Sequence, residues 1–204
     1  MVTETVAPKT KDTIPLWLAV AITVCVSLPF GIWLGKLNLA LWAAFIVWAE
    51  YFVLGGKPAA LKIMVPAYIL GVVGVALIGL LYTFFGKVLG TGTVLDFGLQ
   101  TLTKDNVALY ASFFIGFCIL IYAMKYMPVT LTGTLPFFNG ISIFLGVYFT
   151  GSFMGWFKDF NVSADMMGYA VVVFAAITAI VAGLLGAALG WFNVTILFPR
   201  EVKD

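Results

Sequence analysis

Glu50 is the acidic residue that stands inside a hydrophobic segment of this 204-residue chain. A carboxylate in an apolar environment costs several kcal/mol unless it is protonated or paired. A group retained at that cost could exchange a proton or bind a solute. The structural alternative starts from its depth: Glu50 lies about 7 Å from the glycines that end its helix, where it would reach interfacial water or pair with Lys57 or Lys62.

A second candidate is the polar patch around a proline in a later hydrophobic segment. Pro136 and Asn139 follow Thr130, Thr132 and Thr134. Proline has no backbone N–H and frees a carbonyl one turn earlier, which lipid cannot satisfy. Such backbone is tolerated only against protein or a water-filled cavity, so this patch would line a solute path. The alternative is an ordinary helix N-terminus capped by threonine.

These two features define a predicted path for a solute, with an acidic group, a cation and aromatic rings around a polar patch. Lys62 would attract an anion. The alternative is that Lys62 is an interfacial anchor whose side chain snorkels to water. The aromatic rings would form a constriction, with contact to lipid or a neighbouring helix as their alternative. The predicted path residues are Glu50, Lys62, Trp48, Tyr51, Thr134, Pro136, Phe137, Asn139 and Tyr148.

Several chemistries are excluded by residue types. The chain contains no histidine, which is the commonest general base and metal ligand. Cys25 and Cys118 stand singly in apolar runs, and the Asn-x-Ser/Thr triplets at Asn161 and Asn193 are interpreted as coincidence. No HExxH, GxSxG or paired-Asp signature occurs. We therefore expect no enzymatic activity, no catalytic residues, no metal and no cofactor.

The composition requires a membrane. Hydrophobic residues make up 63% and charged residues 10% of the chain, against about 45–50% and about 25% in soluble domains. Since a span needs about 20 apolar residues, the runs 15–34, 59–85, 106–127 and 166–198 are predicted as spans. The runs 38–54 and 131–153 are shorter and more interrupted, and they predict short or broken helices. A long polar loop is expected at 86–105.

The chain also has weak internal similarity. A shift of 97 positions places Tyr51-Phe52 on Tyr148-Phe149 and Ile46 on Ile143. Each half then contains a long span, a short segment and a long span, and an odd number of spans inverts the second half. The predicted fold is an all-α integral membrane protein of six transmembrane helices in a 3+3 inverted-topology repeat, unless the match is a chance one in apolar sequence. Repeat one covers about 15–85 and repeat two about 106–198 of a single membrane domain, 13–198.

Charge balance sets the expected orientation. In the six-span arrangement, seven Lys and Arg residues lie on the side of the termini and four lie on the other side. Because basic residues favour the cytoplasmic side, both tails, 1–12 and 199–204, are predicted to be cytoplasmic. The eleven basic and nine acidic residues are scattered, so no nucleic-acid partner is expected.

Short motifs carry a resemblance to a known group. These motifs are Trp42-Ala43-Ala44-Phe45, Tyr51-Phe52 and Gly55-Gly56-Lys57, with Gly133-Thr134 and Gly140. In them the chain resembles the YcdZ-like family of small bacterial inner-membrane proteins, whose function is itself unassigned. The resemblance covers about 39–191, and this chain departs from it in its longer polar N-terminus and its 86–105 loop. It implies a multi-pass protein of the bacterial inner (plasma) membrane and supplies no catalytic residues.

The function favoured by these features is transport. We expect a small-solute channel or secondary transporter that moves a neutral or weakly acidic molecule, such as an amide or a short carboxylic acid, between the two repeats. Its partners would be the lipid bilayer, the solute and further copies of the chain in a homo-oligomer. The alternative is a non-catalytic membrane subunit or assembly factor of a larger membrane complex, bound to partner subunits. An intramembrane enzyme is the third and least favoured class.

Overall fold

The computed structural model describes residues 10–90, 107–153, 155, 159–197 and 200–201. Its α-helices are α1 Leu16–Ile32, α2 Leu41–Val53, α3 Pro58–Leu89, α4 Val107–Met124, α5 Pro128–Thr132, α6 Thr134–Thr150 and α7 Met167–Ile196. Short 3-10 turns cover Gly35–Leu37 and Ala164–Met166. The strand β1, Thr10–Lys11, pairs antiparallel with β2, Arg200–Glu201. The prediction of an all-helical protein is confirmed, with this two-residue ladder as its one addition in the described ranges.

Parts of the predicted organisation lie outside the described residues. These are most of the two tails, at 1–9 and 202–204, and most of the predicted polar loop, at 91–106. The ladder and the hydrogen bond from the Thr13 N–H to the Leu197 carbonyl place the segment before α1 beside the segment after α7. The two ends of the described chain therefore lie at the same end of the helix bundle.

Helix lengths separate two groups of apolar helices. By length and composition, three of the described helices could cross a membrane, at Pro58–Leu89, Leu109–Tyr126 and Ala164–Ile196. The others are shorter, with 17 residues in α1, 13 in α2 and 17 in α6. A 13-residue helix is about 20 Å long, against about 30 Å of hydrocarbon. The three long apolar helices allow a membrane location, and α1 is shorter than the full span expected at 15–34.

The outer surface is apolar along the middle of the helices. Phe114 and Ile119 on α4 are 74% and 62% exposed, and Leu77 on α3 is 61% exposed. In water, leaving a side chain of this kind exposed instead of burying it costs about 1.5–3 kcal/mol. Lipid removes that penalty, so this surface suits a bilayer.

A glycine turn defines the end of α2 and the start of α3. Gly55 and Gly56 have φ values of 91° and 62°, which only glycine adopts readily. Their N–H groups donate to the carbonyls of Phe52 and Tyr51, which closes the last turn of α2. Pro58 then occupies the first turn of α3, where its missing N–H has no cost. This tight connection turns α3 back beside α2.

Helices α3 and α6 cross with their backbones in contact. A Cβ atom on Gly71 would collide with the carbonyl of Phe137, and one on Gly140 would collide with the carbonyl of Tyr68. Small residues allow this close approach, which maximises van der Waals contact between helices in lipid. The crossing fixes α6 on the first half of α3.

Helices α2 and α7 cross in the same manner. A Cβ atom on Gly186 would collide with the Ala44 carbonyl, and one on Gly190 would lie 2.7 Å from the Tyr51 Cβ atom. The α3–α6 and α2–α7 pairs have the most extensive helix contacts described, and α3 also packs along α7. Each short helix is therefore held against a long one.

Helix α4 packs on α3 and is the most exposed of the long helices. The 18-residue apolar window from Leu109 to Tyr126 is only 17% buried. Gly74 meets the Leu120 side chain, and Gly116 meets Ile78. An apolar cavity of about 230 Å³ lies between the two helices. It contains none of the predicted path residues.

The backbone contact at Gly71 predicts a position-specific loss of stability. Gly71→Ala should lower the melting temperature of the detergent-solubilised protein, because its Cβ atom meets a backbone carbonyl that cannot move aside. Gly79→Ala is the matched control on the same helix, since its Cβ atom would meet only Val172 methyl groups at 3.2 and 3.3 Å. Both changes gain the same helix propensity. Equal melting temperatures for the two variants would contradict the assigned crossing.

Candidate functional site

Glu50 and Asn139 form a hydrogen bond between the two short helices. The Asn139 Nδ2 atom donates to Glu50 Oε2 at 3.0 Å. Glu50 is only 2% exposed, whereas Asn139 is half-buried. The pair joins α2 to α6 about 5 Å before the last residue of α2. It lies near the end of the bundle that holds both ends of the described chain.

The lysines that sequence reasoning offered as partners do not pair with Glu50. Lys57 and Lys62 are exposed, and the ion pair found among the described residues joins Lys36 to Asp159 instead. Hence the structural alternative of a Glu50–lysine pair is wrong. The carboxyl group is buried with an amide as its partner, and no cation among the described residues pairs with it.

Unpartnered buried polar atoms concentrate on α2. In the described residues, six buried side-chain polar atoms lack a hydrogen-bond partner, and three of them belong to Trp48, Glu50 and Tyr51. The other three are on Ser112, Tyr148 and Asn193. Leaving such an atom unpaired costs about 1–3 kcal/mol. Native proteins retain few such groups, so their concentration on one short helix marks it as a functional candidate.

The burial of Glu50 follows from the position of α2 between its neighbours. One face of α2 carries Ala43, Val47 and Tyr51 into the main core. The next face carries Ala44 and Trp48 against Leu189 of α7. The face with Glu50 is covered by α6. Glu50 is therefore buried close to the end of α2, although other residues of that helix, such as Ile46 and Val53, are exposed.

Tyr68 is part of this neighbourhood and was not predicted. Its hydroxyl donates to the Ala179 carbonyl at 2.7 Å, and its ring lies against Gly183. The hydroxyl is within electrostatic range of the Glu50 carboxyl. In the sequence, Tyr68 is one aromatic residue in a long apolar helix, and its position depends on a glycine more than a hundred residues later.

A second buried polar pair was also missed. Asn193 Nδ2 donates to Thr23 Oγ1 at 2.9 Å, and Thr23 Oγ1 donates to the Ala19 carbonyl at 2.9 Å. Both side chains are fully buried, and they join α1 to α7. The available signal was an asparagine within an apolar run, which sequence reasoning treated only as part of a glycosylation triplet.

The proline patch has a different structural role from the one expected. Pro136 lies in the first turn of α6, where the backbone N–H groups have no partner within the helix. It therefore opens no gap in the helix. Gly133 precedes the helix without a side-chain cap, and the Thr134 hydroxyl donates to the carbonyls of Thr130 and Leu131 at 3.2 and 2.9 Å. The alternative of a helix N-terminus at this position is confirmed, although no threonine side chain caps it.

The remaining predicted residues divide into buried and exposed ones. Phe137 is buried at the α3–α6 crossing. Tyr148 is also buried and stacks on Phe144 with 5.8 Å between ring centroids, but it lies about 13 Å further along α6 than Asn139. Lys62 and Thr134 are exposed. The structure brings together Glu50 and Asn139, with Trp48 and Tyr51 on adjoining faces of α2.

Comparisons with protein-family models, curated proteins and solved structures find no match to this chain. The resemblance to the YcdZ-like family stays a prediction. The functional argument therefore depends on the geometry of the buried pair and on the fold around it.

The hydrogen bond predicts energetic coupling between Glu50 and Asn139. Asn139→Leu should destabilise the protein by about 1–3 kcal/mol, because the buried Glu50 Oε2 loses its donor. Glu50→Met combined with Asn139→Leu should cost less than the sum of the two single changes, since neither polar group then remains. Chemical denaturation in mixed micelles measures the cycle. Thr134→Val is the exposed control on α6, and strictly additive effects of the Glu50 and Asn139 changes would exclude the coupling.

Proposed function

We propose that this chain is a small-solute channel or secondary transporter that moves a small neutral or weakly acidic molecule across a bacterial inner membrane. The observation that carries the proposal is the buried hydrogen bond between Glu50 and Asn139, which joins the two short helices. An ionisable group within an apolar bundle is a marker of solute or proton paths. Its incomplete hydrogen bonding supports a role beyond packing.

The helix contacts support an inverted arrangement of two halves. In the proposed 3+3 repeat, α1, α2 and α3 correspond to α4, α6 and α7. The contacts α2–α7 and α6–α3 are then equivalent, and so are α1–α7 and α4–α3. Ala43, beside the crossing on α7, corresponds to Gly140 at the crossing on α3. Transporters built in this way place their solute site at the interface of the repeats, on short or broken helices.

The short helices support a path through this interface. At about 20 Å, α2 is shorter than the hydrocarbon layer is thick. The hydrophobic barrier that a solute must cross beside α2 is therefore thin. The break at Gly133 between α5 and α6 adds a second interruption. Glu50 lies on α2 and Asn139 lies on α6 about 9 Å beyond this break, and a solute moving along these two helices would encounter both.

The proposal includes six membrane crossings with both termini in the cytoplasm. The β1–β2 ladder supports an even number of crossings, because it places both ends of the described chain on one side. The large exposed apolar surface of α4 supports a homo-oligomer in the bilayer. In that arrangement, the polar path would run through each copy rather than between copies.

The second candidate function is that of a non-catalytic membrane subunit or assembly factor. The same exposed face of α4 favours it, because a partner subunit would cover Phe114, Ile115 and Ile119 as well as another copy would. Purification in mild detergent distinguishes the two. A stoichiometric foreign subunit supports the alternative, whereas a homo-oligomer supports transport.

Flux through proteoliposomes tests the transport proposal. The purified protein should raise the rate of small-amide entry above that of protein-free vesicles, measured by stopped-flow light scattering. Glu50→Leu and Asn139→Leu should each reduce the protein-dependent rate at least about tenfold, which corresponds to about 1.4 kcal/mol. Each of these variants replaces a polar group of the path with an apolar one.

Lys62→Gln and Thr134→Val serve as controls because both residues are exposed and lie outside the buried pair. Both should retain most of the wild-type rate. Absence of protein-dependent flux for every small solute would refute transport. Equal loss in all four variants would show that Glu50 and Asn139 have no special place in the path.

A further inference from the structure

The Glu50–Asn139 pair presents hydrogen-bond acceptors to a solute. Glu50 Oε2 accepts from Asn139 Nδ2, while Glu50 Oε1 is buried without a partner. The remaining oxygen of the half-buried Asn139 side chain is a second acceptor. A ligand that satisfies this site must bring its own donors.

Trp48 and Tyr51 carry buried donors without partners, but these side chains pack against α7, at Leu189 and Gly190. The other neighbouring donors in the described residues are used elsewhere or lie outside. The Tyr68 hydroxyl donates to the Ala179 carbonyl. Lys57 and Lys62 are exposed, and the Lys36 ammonium group is held by Asp159 at 2.7 Å. Thus no described cation offsets the carboxyl group of Glu50.

We propose that this site binds small solutes that donate N–H hydrogen bonds, primary amides or alkylammonium ions, and excludes carboxylate anions. The inference rests on the proposed transport function and changes its solute class from neutral or weakly acidic molecules to donors of N–H hydrogen bonds. An N–H group would complete the hydrogen bonding of Glu50 Oε1. A carboxylate would instead place negative oxygen beside acceptors, and this repulsion is stronger in a buried site than in water.

The same geometry limits the size of the solute. Asn139 is followed directly by Gly140, where the backbones of α6 and α3 touch. With the α3 backbone directly beside Gly140, a ligand at this site can have only a few heavy atoms.

Acetamide and acetate form a matched pair of probes, because they have the same size. Acetamide carries an NH₂ group where acetate carries a charged oxygen. Binding is measured first, as the shift in melting temperature of the detergent-solubilised protein in each solute at equal ionic strength. Acetamide should stabilise the wild-type protein at a concentration about tenfold lower than acetate requires. This selectivity corresponds to about 1.4 kcal/mol.

Ethylammonium and the Glu50→Gln variant distinguish the neutral from the charged donor. Glutamine keeps an acceptor oxygen at this position but carries no charge. If the site takes amides, the variant should retain acetamide stabilisation within about threefold in concentration. If it takes ammonium ions, the variant should lose ethylammonium stabilisation by at least about tenfold. Either result identifies the source of the N–H group.

Lys62→Gln is the control for a general effect of surface charge, and Glu50→Met removes the acceptor entirely. The proposal is overturned if acetate stabilises the protein as well as acetamide does, if no probe stabilises it, or if wild-type and Glu50→Met proteins respond alike. Gel filtration confirms that each variant is folded, and Glu50→Gln keeps the test decisive if Glu50→Met aggregates.

Flux measurements separate this inference from the transport proposal. Selective stabilisation by acetamide or ethylammonium without any flux would retain the binding site and refute transport. Flux that does not discriminate between acetamide and acetate, after subtraction of the rate in protein-free vesicles, would retain transport and refute the solute class.

Discussion

Contact between helix backbones at glycine is the constraint on which this structure depends. In lipid, helices gain no hydrophobic free energy by associating, because the tails are as apolar as the side chains. Close van der Waals packing must replace it, and the crossings at Gly71–Gly140 and Gly186 provide that packing without intervening side chains. These crossings hold α6 on α3 and α2 on α7. They also fix the position of Glu50 relative to Asn139, since neither short helix can slide without a steric collision.

The polar groups in this interior work against stability. Burial of Glu50 and of the unpartnered atoms of Trp48 and Tyr51 has a cost. The Thr23–Asn193 pair has a similar cost, because Asn193 Nδ2 donates to Thr23 while Asn193 Oδ1 is left without a partner. Incomplete hydrogen bonding is therefore not confined to α2, although three of the six unpartnered atoms in the described residues lie on that helix.

Sequence reasoning located the elements of the site better than their contacts. Apolar run length identified the helices other than α5, and the glycines after Glu50 identified the end of the short α2. Glu50 and Asn139 were each selected as polar groups in apolar segments, but Glu50 was expected to pair with a lysine close in sequence. The true partner lies 89 positions away, and it depends on the α3–α6 crossing. Pro136 was selected for an incorrect reason, because a helix start and a helix break look alike in sequence.

The two ends of α2 are attached to the second half of the chain with unequal strength. Just before α2, Lys36 meets Asp159 through an ion pair whose side chains are 68% and 49% exposed. Near its other end, Glu50 is bonded to Asn139 inside the bundle. Exposed ion pairs contribute about 0–1 kcal/mol because water and salt screen them, while separating a buried carboxyl from its donor leaves an unsatisfied group that costs more. Of these two polar contacts, the Lys36–Asp159 ion pair therefore requires less free energy to separate. The buried pair is the firmer attachment, and a ligand that replaces the Asn139 amide as a donor to Glu50 removes the penalty that maintains it.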